Sequence, residues 1–244
     1  MTRPRRKKPR GGDAEVPEGD PDVRFLEARR LLEAGSYKAA MEQAGYGLRL
    51  DLERPDGYLI LGELNLLTGD PVEARRNFRA AARCAGVSPE VLVLGAVAAF
   101  LLGDLGAAAQ SARRAYLENV YLAAAISGEP LPRYDLVHGI PEATPDHAAE
   151  VAGRLRPVLE AEEGAARFLR AVAESPVSRQ DRERFVAAAK KLQREPEIAA
   201  RRDLQRALDE LRDPERIAAT SDDLVARLGE GHSCGGEPRD SFEV

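Results

Sequence analysis

Residues 58–81 read YLILGELNLLTGDPVEARRNFRAA, two helical patterns on either side of the turn Gly69-Asp70-Pro71. Glycine can end a helix in the left-handed backbone conformation because it has no Cβ to clash. We therefore expect residues 58–81 to form two helices joined by a tight turn.

The same kind of turn occurs twice more in the chain. Gly35-Ser36-Tyr37 precedes Gly69 and Gly103-Asp104-Leu105 follows it, at equal distances along the sequence. Other columns of small or apolar residues keep this period: Ala28, Gly62 and Ala96; Ala40, Ala74 and Ala108; Ala44, Phe78 and Ala112; Gly47, Ala81 and Ala115. Small residues let two helices approach closely, and bulky residues fill the space between neighbouring pairs. A fixed period shared by these columns and the turns predicts stacked tandem repeats.

With these columns the sequence resembles the tetratricopeptide repeat, a helix–turn–helix unit of about 34 residues, which is the spacing of the turn glycines here. The middle repeat matches best, with Tyr58 at the aromatic position and Leu61-Gly62 as the Leu-Gly pair. The first repeat lacks the opening aromatic residue, and the third has Ala112 where an aromatic residue is usual. The resemblance covers roughly residues 21–119. It implies an all-α fold with three helix hairpins stacked as a short α-solenoid.

Composition and turn signals divide the rest of the N-terminal half. Residues 1–20 hold a basic block, Arg3–Arg10, followed by acidic residues, with almost nothing apolar, so we expect a disordered tail. Residues 21–132 contain the repeats and a short closing helix at Val120–Ser127, and residues 133–144 are expected to form an extended linker.

The C-terminal half shows helical spacing without the repeat columns. We expect helices over residues 145–228, with a kink or break at Pro157 and an N-terminal capping box beginning at Ser178. Residues 229–244 are polar and glycine-rich and are expected to be disordered.

Composition argues against several functional classes. The formal net charge of −5 does not favour nucleic-acid binding by the whole chain. No apolar run is long enough to span a membrane, and no apolar segment of a signal peptide follows the basic start. The two cysteines, Cys84 and Cys234, form no disulfide framework, which favours a reducing cytoplasm. The excess of arginine over lysine favours a bacterial source with a GC-rich genome.

Residues that could carry chemistry are few. His138, His147 and His232 do not pair with one another or with cysteine at a known metal-ligand spacing. No phosphate-binding loop or nucleophile elbow is present. We therefore expect no enzyme activity, cofactor or metal site.

The resemblance to tetratricopeptide proteins implies a concave groove that binds another protein. The residues expected to face it are Arg29, Leu59, Ile60, Glu63, Leu67, Val93, Leu94, Val97 and Leu101. The Asn and Lys set with which some of these proteins hold a terminal carboxylate is missing. The groove becomes apolar towards the third repeat, so something must cover it: the C-terminal helices of this chain, which we favour, or an amphipathic helix of a partner.

Three functions are compatible with these features. The first is a scaffold, adaptor or chaperone-like protein that binds an apolar helix or peptide in the groove. The second is a self-associating structural module of a larger assembly. The third is association with nucleic acid through the basic block Arg3–Arg10.

Overall fold

The computed structural model describes residues 19–136 and 143–230, and these two ranges contain twelve α-helices and no β-strand. The helices are α1 (Pro21–Glu33), α2 (Tyr37–Leu50), α3 (Pro55–Leu67), α4 (Pro71–Ala85), α5 (Pro89–Leu101), α6 (Leu105–Glu118), α7 (Leu122–Ser127), α8 (Pro145–Ala161), α9 (Glu163–Glu174), α10 (Pro176–Arg194), α11 (Ile198–Arg212) and α12 (Pro214–Glu230). The first six pack as three successive hairpins, which confirms the predicted all-α solenoid.

The three hairpin turns share one backbone geometry. Gly35, Gly69 and Gly103 have φ angles of +73°, +80° and +76°. After each glycine, the next amide donates a hydrogen bond five residues back, from Ser36 to Leu31 (2.8 Å), Asp70 to Asn65 (2.7 Å) and Asp104 to Ala99 (2.9 Å). These bonds satisfy carbonyls at the end of the first helix, so the turn chemistry accounts for the regular recurrence of glycine.

The small-residue columns lie where helices approach most closely. Ala40, Ala74 and Ala108 are fully buried, as is Ala96, and Phe78 and Ala81 are buried beside them. A Cβ on Gly62 would collide with the ring of Phe78, which fixes the close contact between α3 and α4. Tyr58 is half-buried and packs against both hydrophobic cores.

The C-terminal helices differ in detail from the sequence prediction. The predicted break at Pro157 is absent: α8 continues through this proline, and the interruption falls at Glu162. Leu155 and Val158, on either side of Pro157, are buried. The N-cap of α10 is Ser175 and not Ser178: its side chain accepts a hydrogen bond from the Ser178 amide (3.3 Å). A proline at the first position of α10 favours this earlier start.

The C-terminal helices belong to the same body as the hairpins. One large hydrophobic core runs from α3 to α12, and a smaller one joins the first hairpin to α3. Helix α12 lies along α6, α9 packs on α5 and α6, and α8 packs on α7 and α3. The expected tails lie outside the described residues, except that Gly19 and Asp20 precede α1 and α12 continues to Glu230.

Candidate functional site

Equivalent positions of the first helices form rows along the inner face of the three hairpins. Arg29, Glu63 and Val97 lie one repeat apart and form one such row. Glu33, Leu67 and Leu101 form another. The face therefore changes from charged at the first hairpin to apolar at the third.

The predicted groove residues do not form an open apolar groove. Val93, Leu94 and Val97 of α5 are buried in the large core, together with Leu59 of α3, and Ile60 is buried in the small core. Leu101 is half-buried against the large core. These residues therefore do not form a free binding surface, because they pack in cores shared with neighbouring hairpins and, for the large core, with the C-terminal helices.

Helix α9 covers the inner face at the third hairpin. Phe168 packs on Phe100 of α5 with ring centroids 4.9 Å apart. Gly164 of α9 also lies beside the Phe100 ring, at a distance where an added Cβ would make van der Waals contact. The apolar end of the inner face is thus covered by the chain itself, which is the alternative that we favoured from the sequence.

Helix α8 crosses the inner face at the first two hairpins and leaves a cavity beneath it. The cavity has a volume of about 410 Å³. Its walls come from α1, α3 and α8 and from the first hairpin turn: Arg29, Leu32, Glu33, Gly35, Tyr37, Glu63, Leu67, Glu150, Gly153, Arg154 and Pro157. Of the predicted groove residues, Arg29, Glu63 and Leu67 line this cavity.

Glu63 is the most unusual group of this cavity. Its side chain is only 1% exposed, and its Oε2 accepts a hydrogen bond from Arg29. The other oxygen, Oε1, is buried and has no hydrogen-bond partner among the described residues. Burial raises the pKa of Glu63, although the neighbouring Arg29 opposes this shift. A buried carboxylate with an unsatisfied oxygen is costly and is typical of functional positions.

Arg154 ties α8 to the hairpins at the edge of the cavity. Its guanidinium donates to Oε1 of Glu90 on α5 at 2.6 Å. It also forms an ion pair with Glu150 one turn earlier on α8. The Glu90 side chain is mostly buried, so this contact holds α8 over the inner face.

A second buried ionic cluster joins the C-terminal helices to α6. Arg113 donates to Asp181 of α10 (2.8 Å) and to Ser221 of α12 (2.8 Å). Arg216 donates to the other oxygen of Asp181 at 2.5 Å. Both oxygens of Asp181 thus accept from an arginine, while Nε of Arg113 has no hydrogen-bond partner among the described residues. We interpret this cluster as a structural tie between three helices.

The sequence alone predicted only part of the cavity. Arg29 and Glu63 were predicted to face the groove, and their opposite charges one repeat apart were a usable signal. Glu150 and Arg154 of the cavity were missed, as was Glu90 beside it. No local pattern links Arg154 on α8 to Glu90, which lies 64 residues earlier.

The described residues form neither a metal site nor a membrane-spanning helix. In the two described ranges, no group of three His, Cys, Asp or Glu side chains is placed to hold a metal ion. No helix in those ranges is both long and apolar enough to cross a membrane. His138, His232, Cys234 and the basic block Arg3–Arg10 lie outside the described residues. His147 lies on α8.

The chain matches no protein-family model, no curated protein and no solved structure.

Proposed function

We propose that this chain is a protein-binding adaptor of the tetratricopeptide type that docks a partner at the cavity between α1, α3 and α8. The observation that carries this proposal is the combination of three tandem helix hairpins with a charged cavity on their inner face. Stacked helix pairs of this kind present extended concave surfaces for binding. We further propose that the chain has no catalytic residue, cofactor or metal and acts in the cytoplasm of a bacterium.

The position of α8 and α9 restricts how such a partner binds. Because α9 covers the apolar end of the inner face, a long amphipathic helix cannot lie along all three hairpins unless α9 moves. The first two hairpins remain accessible through the cavity. We therefore infer a short partner segment that inserts beside α8, in place of a long helix filling the groove.

Affinity capture with matched variants tests the adaptor proposal. Leu67→Glu places a charge in the cavity wall, and Leu52→Glu makes the same change at an exposed turn as the control. We expect the purified wild-type chain and the Leu52 variant to retain one protein in equimolar amount, and the Leu67 variant to lose it. Equal retention by both variants, with both folded by circular dichroism, contradicts docking at the cavity.

Self-association is a second candidate because α1, at the free end of the hairpin stack, exposes apolar side chains. Leu26 is 74% exposed and Val23 is 61% exposed. The equivalents of Leu26 in the next two hairpins, Ile60 and Leu94, are buried within the stack. A second copy stacking on α1 would bury Leu26 in the same way.

Light scattering tests self-association. We expect a mass above 26.5 kDa at high concentration and a return to that mass in Leu26→Lys. A wild-type mass of 26.5 kDa at every concentration rules out this second function.

A further inference from the structure

We propose that the cavity between α1, α3 and α8 binds a cationic group, a guanidinium or an ammonium, against the free oxygen of the Glu63 carboxylate. The assignment of this cation to a partner peptide rests on the proposed function, whereas the binding of a cation at Glu63 does not. A free small cation supplies the same chemistry, and the experiment below separates the two sources.

The hydrogen-bonding state of Glu63 points to a missing donor. Buried polar atoms nearly always have a partner, and a buried carboxylate oxygen without one is strongly disfavoured. Arg29 occupies Oε2, while Oε1 has no partner in the described part of the chain. When Glu63 is ionised, Oε1 can accept hydrogen bonds but cannot donate one. The group that pairs with it must therefore be a donor.

The charge balance around the cavity favours a cationic donor. Among the described residues, the carboxylates that line the cavity are Glu33, Glu63 and Glu150, and the cations are Arg29 and Arg154. A further carboxylate, Glu90, lies beside the cavity, where it pairs with Arg154. Both arginines are already paired with carboxylates. The cluster therefore carries excess negative charge, which a cationic donor would balance at Glu63.

The shape and lining of the cavity suit a cation on an apolar stem. Its volume of about 410 Å³ lies within the range of small-ligand sites. Leu32, Leu67 and Pro157 give it apolar walls beside the charged floor. The methylene stem of a lysine or arginine side chain packs along such walls while its charged end reaches the carboxylate.

NMR titration of the full chain tests the proposal with methylguanidinium and its neutral counterpart, N-methylurea. We expect methylguanidinium to shift the amide signals of Gly35 and Gly153, which line the cavity, and N-methylurea to leave them unchanged. In Glu63→Gln the affinity for methylguanidinium should fall about tenfold or more, since a hydrogen bond to a charged group is lost. Glu27→Gln, the same change at the outer side of α1 where Glu27 pairs with Arg30, should retain the wild-type affinity.

Three results overturn the proposal: no shift with methylguanidinium, equal shifts with both probes, or unchanged affinity in Glu63→Gln. If Glu63→Gln fails to fold, Glu150→Gln at the cavity rim replaces it and should also weaken binding. Unchanged affinity in that variant overturns the proposal as well.

A blocked tripeptide Gly-Arg-Gly and its citrulline counterpart identify the source of the cation. Tighter binding of the arginine peptide than of free methylguanidinium assigns the cation to a peptide, and equal binding assigns it to a small molecule. Cation binding without any captured protein contradicts the adaptor function but not this proposal. If a protein is captured and its capture depends on Leu67, but no cation binds, the adaptor function is supported and the cation-binding proposal is contradicted.

Discussion

Two neighbouring positions in α3 have different roles: one packs against α4 and the other lines the cavity. Gly62 faces α4, where a Cβ would collide with Phe78, and its neighbour Glu63 faces the cavity beneath α8. The sequence identified both positions, Gly62 from its column of small residues and Glu63 from its place on the expected groove. It did not show that Glu63 is buried, because that burial depends on a helix far along the chain.

Gly62→Ala should destabilise the protein by about 1–3 kcal/mol, since the added methyl group overpacks the contact with Phe78. Gly95→Ala on α5 is the matched control, because a Cβ there would meet nothing within 4 Å. It should stabilise the protein by about 0.5–1 kcal/mol through the better helix propensity of alanine. Urea unfolding of both variants measures this difference, and equal effects would show that α3 does not approach α4 as described.

The stability of the protein should depend on pH through Glu63. Its pKa is raised by burial, so the folded state holds this proton more tightly than the unfolded state. The stabilisation is therefore complete below the ordinary glutamate pKa of about 4.3 and is lost as pH rises through the raised value. Relative to the wild type, Glu63→Gln should thus become more stable as the pH rises from about 4 towards neutral.

Chemical unfolding at a series of pH values, with Glu27→Gln as the control for losing an exposed carboxylate, measures this change. A constant difference in unfolding free energy between Glu63→Gln and the wild type, or a slope of opposite sign, would mean that Glu63 is not buried as described.

At the scale of elements, the hairpins were predictable and the C-terminal contacts were not. Turn glycines and alanine columns are local signals, so α1 to α6 followed from the period of the repeats. The start of α10 was misplaced because Ser178 fits a capping box as well as Ser175-Pro176 fits an N-cap. The pairing of α10 and α12 with α6 depends on Arg113 and Asp181, which are 68 residues apart and belong to no repeating pattern.

Asp181→Ala should destabilise the protein by about 3–5 kcal/mol, because it leaves the buried guanidinium of Arg113 without its carboxylate. Asp203→Ala removes an exposed ion pair with Arg206 on α11 and should change the stability by no more than about 0.5 kcal/mol. Thermal or urea unfolding compares the two. Similar small losses in both variants would show that α10 and α12 are not tied to α6 through this cluster.

At the scale of the whole molecule, twelve helices in the described ranges form one body with a continuous core from the second hairpin to α12. The sequence indicated that the apolar α5 needs a cover, and the structure supplies α9. The sequence did not indicate that α8 would cross the charged end of the same face and enclose a cavity. That arrangement depends on Arg154 reaching Glu90, a contact between helices separated by two others along the chain.

The docking of α8 across the inner face of the hairpins is tested most directly by a double-mutant cycle between Glu90 and Arg154. Glu90→Gln, Arg154→Met and the double variant are compared with the wild type by urea unfolding. The Glu150–Arg154 pair within α8 serves as the control cycle, because it forms whether or not α8 is docked. We expect a coupling free energy of about 1 kcal/mol or more between Glu90 and Arg154. A coupling of zero, within about 0.5 kcal/mol, would contradict the docking of α8.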